Sequence, residues 1–121
     1  MTVMDASALL AFLQGEPGAV MVEDHLVEGV ACGAANWSEV AQKVRAAGRD
    51  WALASALLAS YELVVEPVTI HDAERAASSW RQGSGLSLAD RLCLALGDRL
   101  DRPVLTADSS WGTGGRVRQV R

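Results

Sequence analysis

Four carboxylates stand where the surrounding sequence makes an acid conspicuous: Asp5, Glu39, Asp90 and Asp108. Asp5 interrupts an apolar run, with Val3-Met4 before it and Ala8-Leu9-Leu10-Ala11-Phe12-Leu13 after it. An ionised acid against a core is costly unless something pairs with it. Asp108 ends a second short apolar stretch, Pro103-Val104-Leu105-Thr106-Ala107. Asp90 falls in the first turn of a helix too apolar for a surface helix, and Glu39 in the first turn of another, off its Trp37–Val40–Val44 stripe. Carboxylates gathered without His or Cys favour a hard, oxygen-preferring cation, Mg²⁺ or Mn²⁺. Such ions activate water and stabilise the leaving oxygen of a phosphodiester; paired ions stand ~3.5–4 Å apart. His25 and His71 lie in separate segments, on expected helix surfaces, which argues against zinc.

Each acid also has a simpler reading. Asn36-x-x-Glu39 and Ser87-x-x-Asp90 match the capping box or its Asp variant, in which the acid satisfies a free backbone N–H. Thr69-x-x-Asp72 has the same pattern and serves as a control, an acid expected only to cap. Asp108 fits a turn residue. Asp5 has no capping box after it and is the hardest to explain as a cap.

The elements that must position these acids follow from periodicity and punctuation. A strand is expected up to Asp5, then a helix to Gly15, with Ser7 in its opening. Pro17 suits the first turn of a second helix carrying Ala19, Val22 and Leu26. Gly29 to Gly33 reads as a strand, Asn36 as the opening of a helix closed by Gly48, and Trp51 to Tyr61 as a helix apolar nearly all round. That last helix is either sandwiched in the domain or set against another subunit. Leu63 to Val68 reads as a strand, and Thr69 as the cap of a helix with inner face Ala73, Ala76, Ala77 and Trp80. Ser87 opens a further helix through Leu96. Pro103 to Thr106 is a strand, Ser109 to Gly115 a loop, and Arg116 to Arg121 a short last strand. Strands alternating with helices imply a mostly parallel sheet covered on both faces. If the strands of Asp5 and Asp108 are neighbours, their acids meet at one sheet edge, where ligands bind in open α/β sheets.

At 121 residues, half of them apolar, the chain is long enough for one domain with its own core, residues 1–121. It has no apolar run of the ~18–20 residues that span a bilayer and no signal-peptide pattern, so a cytoplasmic setting is expected, with no membrane. Cys32 and Cys93 read as buried thiols rather than a disulfide. Fifteen acids against eleven bases leave a net charge of −4, which disfavours a non-specific nucleic-acid binder. The four acids above account for that whole charge, so the remainder of the chain is neutral. Ten of the eleven bases are Arg, suited to phosphate contact.

Asp5-Ala6-Ser7-Ala8-Leu9-Leu10, Asn36-Trp37-Ser38-Glu39-Val40, Leu86-Ser87-Leu88-Ala89-Asp90-Arg91 and Val104-Leu105-Thr106-Ala107-Asp108 together resemble the four acidic motifs of PIN domains, and most of all those of VapC-type toxins from toxin–antitoxin pairs. The resemblance covers the whole chain. It implies a PIN-like Rossmannoid three-layer α/β fold, with about five mostly parallel strands flanked by helices. It also implies a Mg²⁺- or Mn²⁺-dependent endoribonuclease. Metal binding is carried onto Asp5 and Asp90, with Glu39 and Asp108 completing a four-carboxylate site and Asp108 counted among the metal ligands; Ser7 and Thr106 are carried over as polar residues orienting the acids. An RNA substrate, a homodimer and a cognate antitoxin that blocks the cleft are implied as partners. Many relatives carry a basic residue after the last acid; here Ser109-Ser110 follow. The alternatives are a catalytically silent PIN-like module binding RNA or a partner, a receiver-like Mg²⁺-binding signalling domain, for which Lys43 is in the wrong place, and cleavage of DNA instead of RNA.

Overall fold

In the computed structural model, which describes residues 1–121, the first apolar run forms the central strand β1 (Thr2–Met4). It pairs with β2 (Val30–Gly33) on one side and β4 (Val104–Thr106) on the other; β3 (Leu63–Glu66) and β5 (Val117–Gln119) form the edges. The order is β3-β2-β1-β4-β5, and every pair is parallel. The connections carry six helices: α1 (Ala6–Leu13), α2 (Ala19–Glu28), α3 (Ala34–Ala46), α4 (Trp51–Ala59), α5 (Ile70–Ser78) and α6 (Leu88–Leu100). The chain is thus a five-stranded parallel α/β sheet flanked by helices, the architecture that the resemblance implies. A receiver-like sheet sets its third strand beside its first; here β4 takes that place and β3 lies at an edge, which excludes that alternative.

Strand side chains alternate between faces, and two cores result. Met4, Cys32 and Leu105 point into the larger one, with Leu9, Val22, Leu26, Val40 and Leu58 from the helices. Val3, Ala31 and Val104 point the other way, onto Cys93 and Leu96 of α6. Burial on both faces is why the central strands read as unbroken apolar runs. Gly97 lets α6 sit directly on β4, since a Cβ there would collide with the Val104 side chain. No helix is long and apolar enough to cross a membrane, and both cysteines are buried and free.

Several helix expectations need correcting. Pro17 lies outside α2, which starts at Ala19 behind Gly18, whose φ of 97° suits only glycine. A side chain at Gly18 would also meet the Val120 backbone. Helix α4 is not sandwiched: Leu58 is its one buried residue, while Leu53 is 70% and Leu57 44% exposed. An all-apolar helix has no periodicity from which to read its inner face. In α5 only Asp72 and Ala76 are buried, and Trp80 falls beyond the helix end, exposed.

The chain runs outward from β1 through β2 to β3, then returns to the other side of β1 for β4 and β5. The direction of winding therefore reverses between β1 and β4, and the carboxyl ends of those strands flank the crevice such a reversal opens. Asp5 follows β1 directly, and Ala107-Asp108 follow β4.

Candidate active site at the carboxyl edge of the sheet

The last residue of β1 hands over to α1 with no intervening loop, and Asp5 is the residue in between. Its extended backbone makes it the N-cap of α1, and its Oδ1 accepts from the Ala8 amide at 2.9 Å. Asp5 therefore does cap a helix, contrary to the sequence expectation, although no capping box marks it. It is also 4% exposed, and a cap alone needs no such burial.

Two hydroxyls complete its surroundings. Ser7 Oγ donates to the Asp5 carboxylate at 2.8 and 2.9 Å, and Thr106 Oγ1 donates to Oδ2 at 2.7 Å. Each hydroxyl in turn accepts a backbone N–H from the end of β4, Ala107 to Ser7 at 2.9 Å and Asp108 to Thr106 at 3.0 Å. A backbone amide can only donate, so it leaves each hydroxyl proton free to point at Asp5. The ends of β1 and β4 are thereby locked together through one carboxylate.

Burial dominates the Asp5 carboxyl and pushes its pKa up to about 6, against the pull of Thr106, Ala8 and Ser7, with the charge of Asp90 adding to the rise. No cation answers it. Six ion pairs form in the molecule, and none includes Asp5, Glu39, Asp90 or Asp108. The control acid behaves differently: Asp72 makes its capping box but also pairs with Arg99 at 3.0 Å. Its role is thus wider than capping, and the hydrogen bonds from Arg99 and Thr69 outweigh burial and hold its pKa below the ordinary value.

The other three acids reach the same edge from three elements. Asp90 makes the capping box of α6, its Oδ2 accepting from Ser87 N at 2.9 Å. Asp108 starts a short 3₁₀ turn, Ser109–Trp111, and its Oδ1 accepts from the amide and hydroxyl of Ser110. Those bonds hold its pKa below the ordinary carboxylate value. Glu39 is not part of a capping box. Helix α3 begins at Ala34, so Asn36 is inside it; the Asn36 side chain instead donates to Glu39 Oε1 at 3.0 Å and Ala89 O at 3.4 Å. Asn36 is the site neighbour that sequence reasoning missed, having been read as a cap.

Proximity also shows in the buried thiols. Burial pushes Cys93 well up, and the charges of Asp5, Asp90 and Glu39 all push the same way. Cys32 is raised to about 12 by burial, then by Asp5 and Glu39. Both are therefore inert thiols. Asp108 is tied to the group through Thr106 rather than through a shared charge.

As the side chains stand, no three His, Cys, Asp or Glu residues converge as a metal ion requires. The caps explain this, since Asp90 and Asp108 each turn one oxygen back to their own helix or turn. Yet Glu39 Oε2, Asp90 Oδ1 and Asp108 Oδ2 make no hydrogen bond, whereas both oxygens of Asp72 are taken. Oxygen-only donors, three free carboxylate oxygens and a buried acid lacking a cation fit a hard divalent ion in chemistry.

The family model for the PIN domain matches residues 2–112. A search of curated proteins finds no significant match. Among solved structures, a toxin–antitoxin complex from Klebsiella pneumoniae matches with a TM-score of 0.80 at 18% identity, over 100% of this chain and 98% of that one. VapC20 of Mycobacterium tuberculosis, a toxin that cleaves the sarcin–ricin loop, matches with a TM-score of 0.74 at 18% identity, over 98% and 99% of the two chains. PAE2754 from Pyrobaculum aerophilum matches with a TM-score of 0.63 at 24% identity, over 98% and 83%. At these identities the solved structures speak for the fold, and it is the family model, spanning nearly the whole chain, that shows the chain to belong to the PIN domain family.

Proposed function

We propose that this chain is a metal-dependent endoribonuclease and the toxin of a toxin–antitoxin pair. The observation that carries the reading is the buried Asp5 carboxylate, at the end of β1 where the sheet reverses its winding, under the charge of Asp90, linked through Thr106 to Asp108 and without any cationic partner. Asp5, Asp90 and Asp108 would hold the ion, Mg²⁺ or Mn²⁺, with Glu39 at its rim. When bound, such an ion lowers the pKa of water and offsets charge on the leaving oxygen.

The protein groups have separable tasks. Ser7 and Thr106 hold Asp5 in one rotamer, so its carboxylate needs no reordering when charge arrives. The free oxygen of Glu39 is the acceptor able to take a proton from an attacking water at the rim. Two of the structural neighbours are a toxin–antitoxin complex and an RNA-cleaving toxin, which supports RNA over DNA and a protein antitoxin as partner. The exposed Leu53 and Leu57 of α4 suit contact with that antitoxin or with a second copy of the chain.

The test is incubation of purified protein with total RNA, in Mg²⁺ or in chelator, with mapping of the cut ends. Cleavage in Mg²⁺ that chelator stops and Asp5→Asn abolishes is the expected result. Binding of RNA without cutting would favour the catalytically silent module, and full activity of Asp5→Asn would refute the proposed site.

A further inference from the structure

Helices α3 and α6 deliver Glu39 and Asp90, and one side chain links them. Asn36 is 1% exposed, deep between the two helices. One hydrogen of its Nδ2 goes to Glu39 Oε1, one turn further along α3. The other goes to the carbonyl of Ala89, the residue before Asp90 in the first turn of α6. No other side-chain hydrogen bond joins α3 to α6. Asn36 is also the sole hydrogen-bond partner of the Glu39 carboxylate, which has no ion pair.

The amide has only one workable orientation. Flipped, it would turn its oxygen toward the Glu39 carboxylate and the Ala89 carbonyl, setting acceptor against acceptor twice. In the orientation found, Asn36 Oδ1 is buried without any partner. It faces Gly33, where even a Cβ would stand 3.3 Å from it. An unpaired buried acceptor is a standing cost, and packing alone would favour an apolar residue of the same size. The Nδ2 donors are what an apolar residue could not supply.

We propose that Asn36 is a positioning residue: its amide fixes the Glu39 carboxylate beside the first turn of α6, the turn that carries Asp90. Glu39 Oε1 is held, and Oε2 is left for the ion or its water. This rests on the metal-dependent reading above, and it adds a residue whose own chemistry binds no metal.

The test uses the full chain, stripped of metal, with Asn36→Leu and Asn36→Ala. Asn36→Leu keeps the branched outline at a larger volume and removes both the donors and the orphaned acceptor, so the variant stays folded with a Tm close to that of the wild type. Its Mn²⁺ dissociation constant, read by calorimetric titration, rises about tenfold, the scale on which groups behind metal ligands act. The Mg²⁺ concentration for half-maximal RNA cleavage rises by the same factor, and the rate at saturating Mg²⁺ stays within a few fold. Asn36→Ala shows the same loss of metal affinity with a lower Tm. Unchanged Mn²⁺ affinity in a folded variant, or loss of the fold in both, overturns the assignment and makes Asn36 a packing residue. Absence of Mn²⁺ binding by the wild type overturns the metal-dependent reading itself.

Discussion

Asp5 is a buried carboxyl with no cationic partner, and ionising it there carries a cost to the fold that can be measured. Its pKa stands at about 6 in the folded chain, against an ordinary 3.8. A raised carboxyl pKa means that the folded state prefers the proton. Its contribution is complete below the ordinary pKa and is lost as pH climbs through the folded value. The full difference corresponds to about 3 kcal/mol, of which about 2 kcal/mol falls between pH 4.5 and 7.5. Asp5→Asn removes the titration and keeps the shape. In chelator, the stability of Asp5→Asn relative to the wild type should therefore rise by about 2 kcal/mol across that window, or a Tm gap widening by about 8 °C. Thermal unfolding at six or seven pH values reads it directly. Other titrating groups are common to both proteins and cancel in the difference. Millimolar Mg²⁺ or Mn²⁺ should narrow the gap at pH 7.5, because a cation stabilises the ionised wild-type group alone. A gap that stays flat with pH would show that burial does not govern Asp5, and a gap untouched by metal would remove the physical reason for calling it a ligand.

Two further substitutions separate the roles of neighbouring groups. Asp72→Asn should cost about 2 kcal/mol in urea unfolding, more than a lost cap, because it removes the nearer and more buried of the two carboxylates that Arg99 pairs with. Since the Asp72 pKa is lowered, that loss is largest near neutral pH and shrinks as pH falls, opposite in sign to Asp5, and cleavage per folded molecule should be unchanged. Thr106→Val should cost about 1–3 kcal/mol, because the Asp108 amide loses its acceptor and the Asp5 carboxylate loses the hydroxyl on Oδ2, keeping Ser7 and the Ala8 amide. Thr106→Ser, which keeps the hydroxyl, should recover most of the cleavage that Thr106→Val loses.

Much of this was legible in the residues themselves. The three central strands announce themselves as short apolar runs, because a parallel sheet covered on both faces needs them so, whereas the edge strand β5 shows only the alternation of Val117 and Gln119 around Arg118. The sequence leaves the adjacency of the Asp5 and Asp108 strands as a condition for their acids to meet, and the register of Val3 with Val104 and Met4 with Leu105 meets it. What could not be read was direction. Trp51 to Ala59 is apolar on every side, so nothing in it distinguishes the face that holds Leu58 from the face that exposes Leu53. Trp80 looked like core because aromatic residues usually are, but α5 ends two residues before it.

The capping boxes show most sharply where sequence patterns stop. Asn36-x-x-Glu39, Thr69-x-x-Asp72 and Ser87-x-x-Asp90 are the same pattern, yet only the last two are capping boxes. The difference is where the helix starts. Gly33 ends β2 and caps α3 with its backbone, so the helix begins early and carries Asn36 a turn inward. There its amide can no longer reach a free N–H, and it turns instead to Glu39 and to α6. The two true boxes then diverge by what surrounds them. Asp72 meets Arg99 and is neutralised; Asp90 meets no base, keeps a free oxygen and adds its charge to the burial of Asp5. A cap and a ligand are therefore not competing readings of Asp90. The backbone bond that satisfies the helix also points the carboxylate, and its unanswered charge is what a cation at this edge would find.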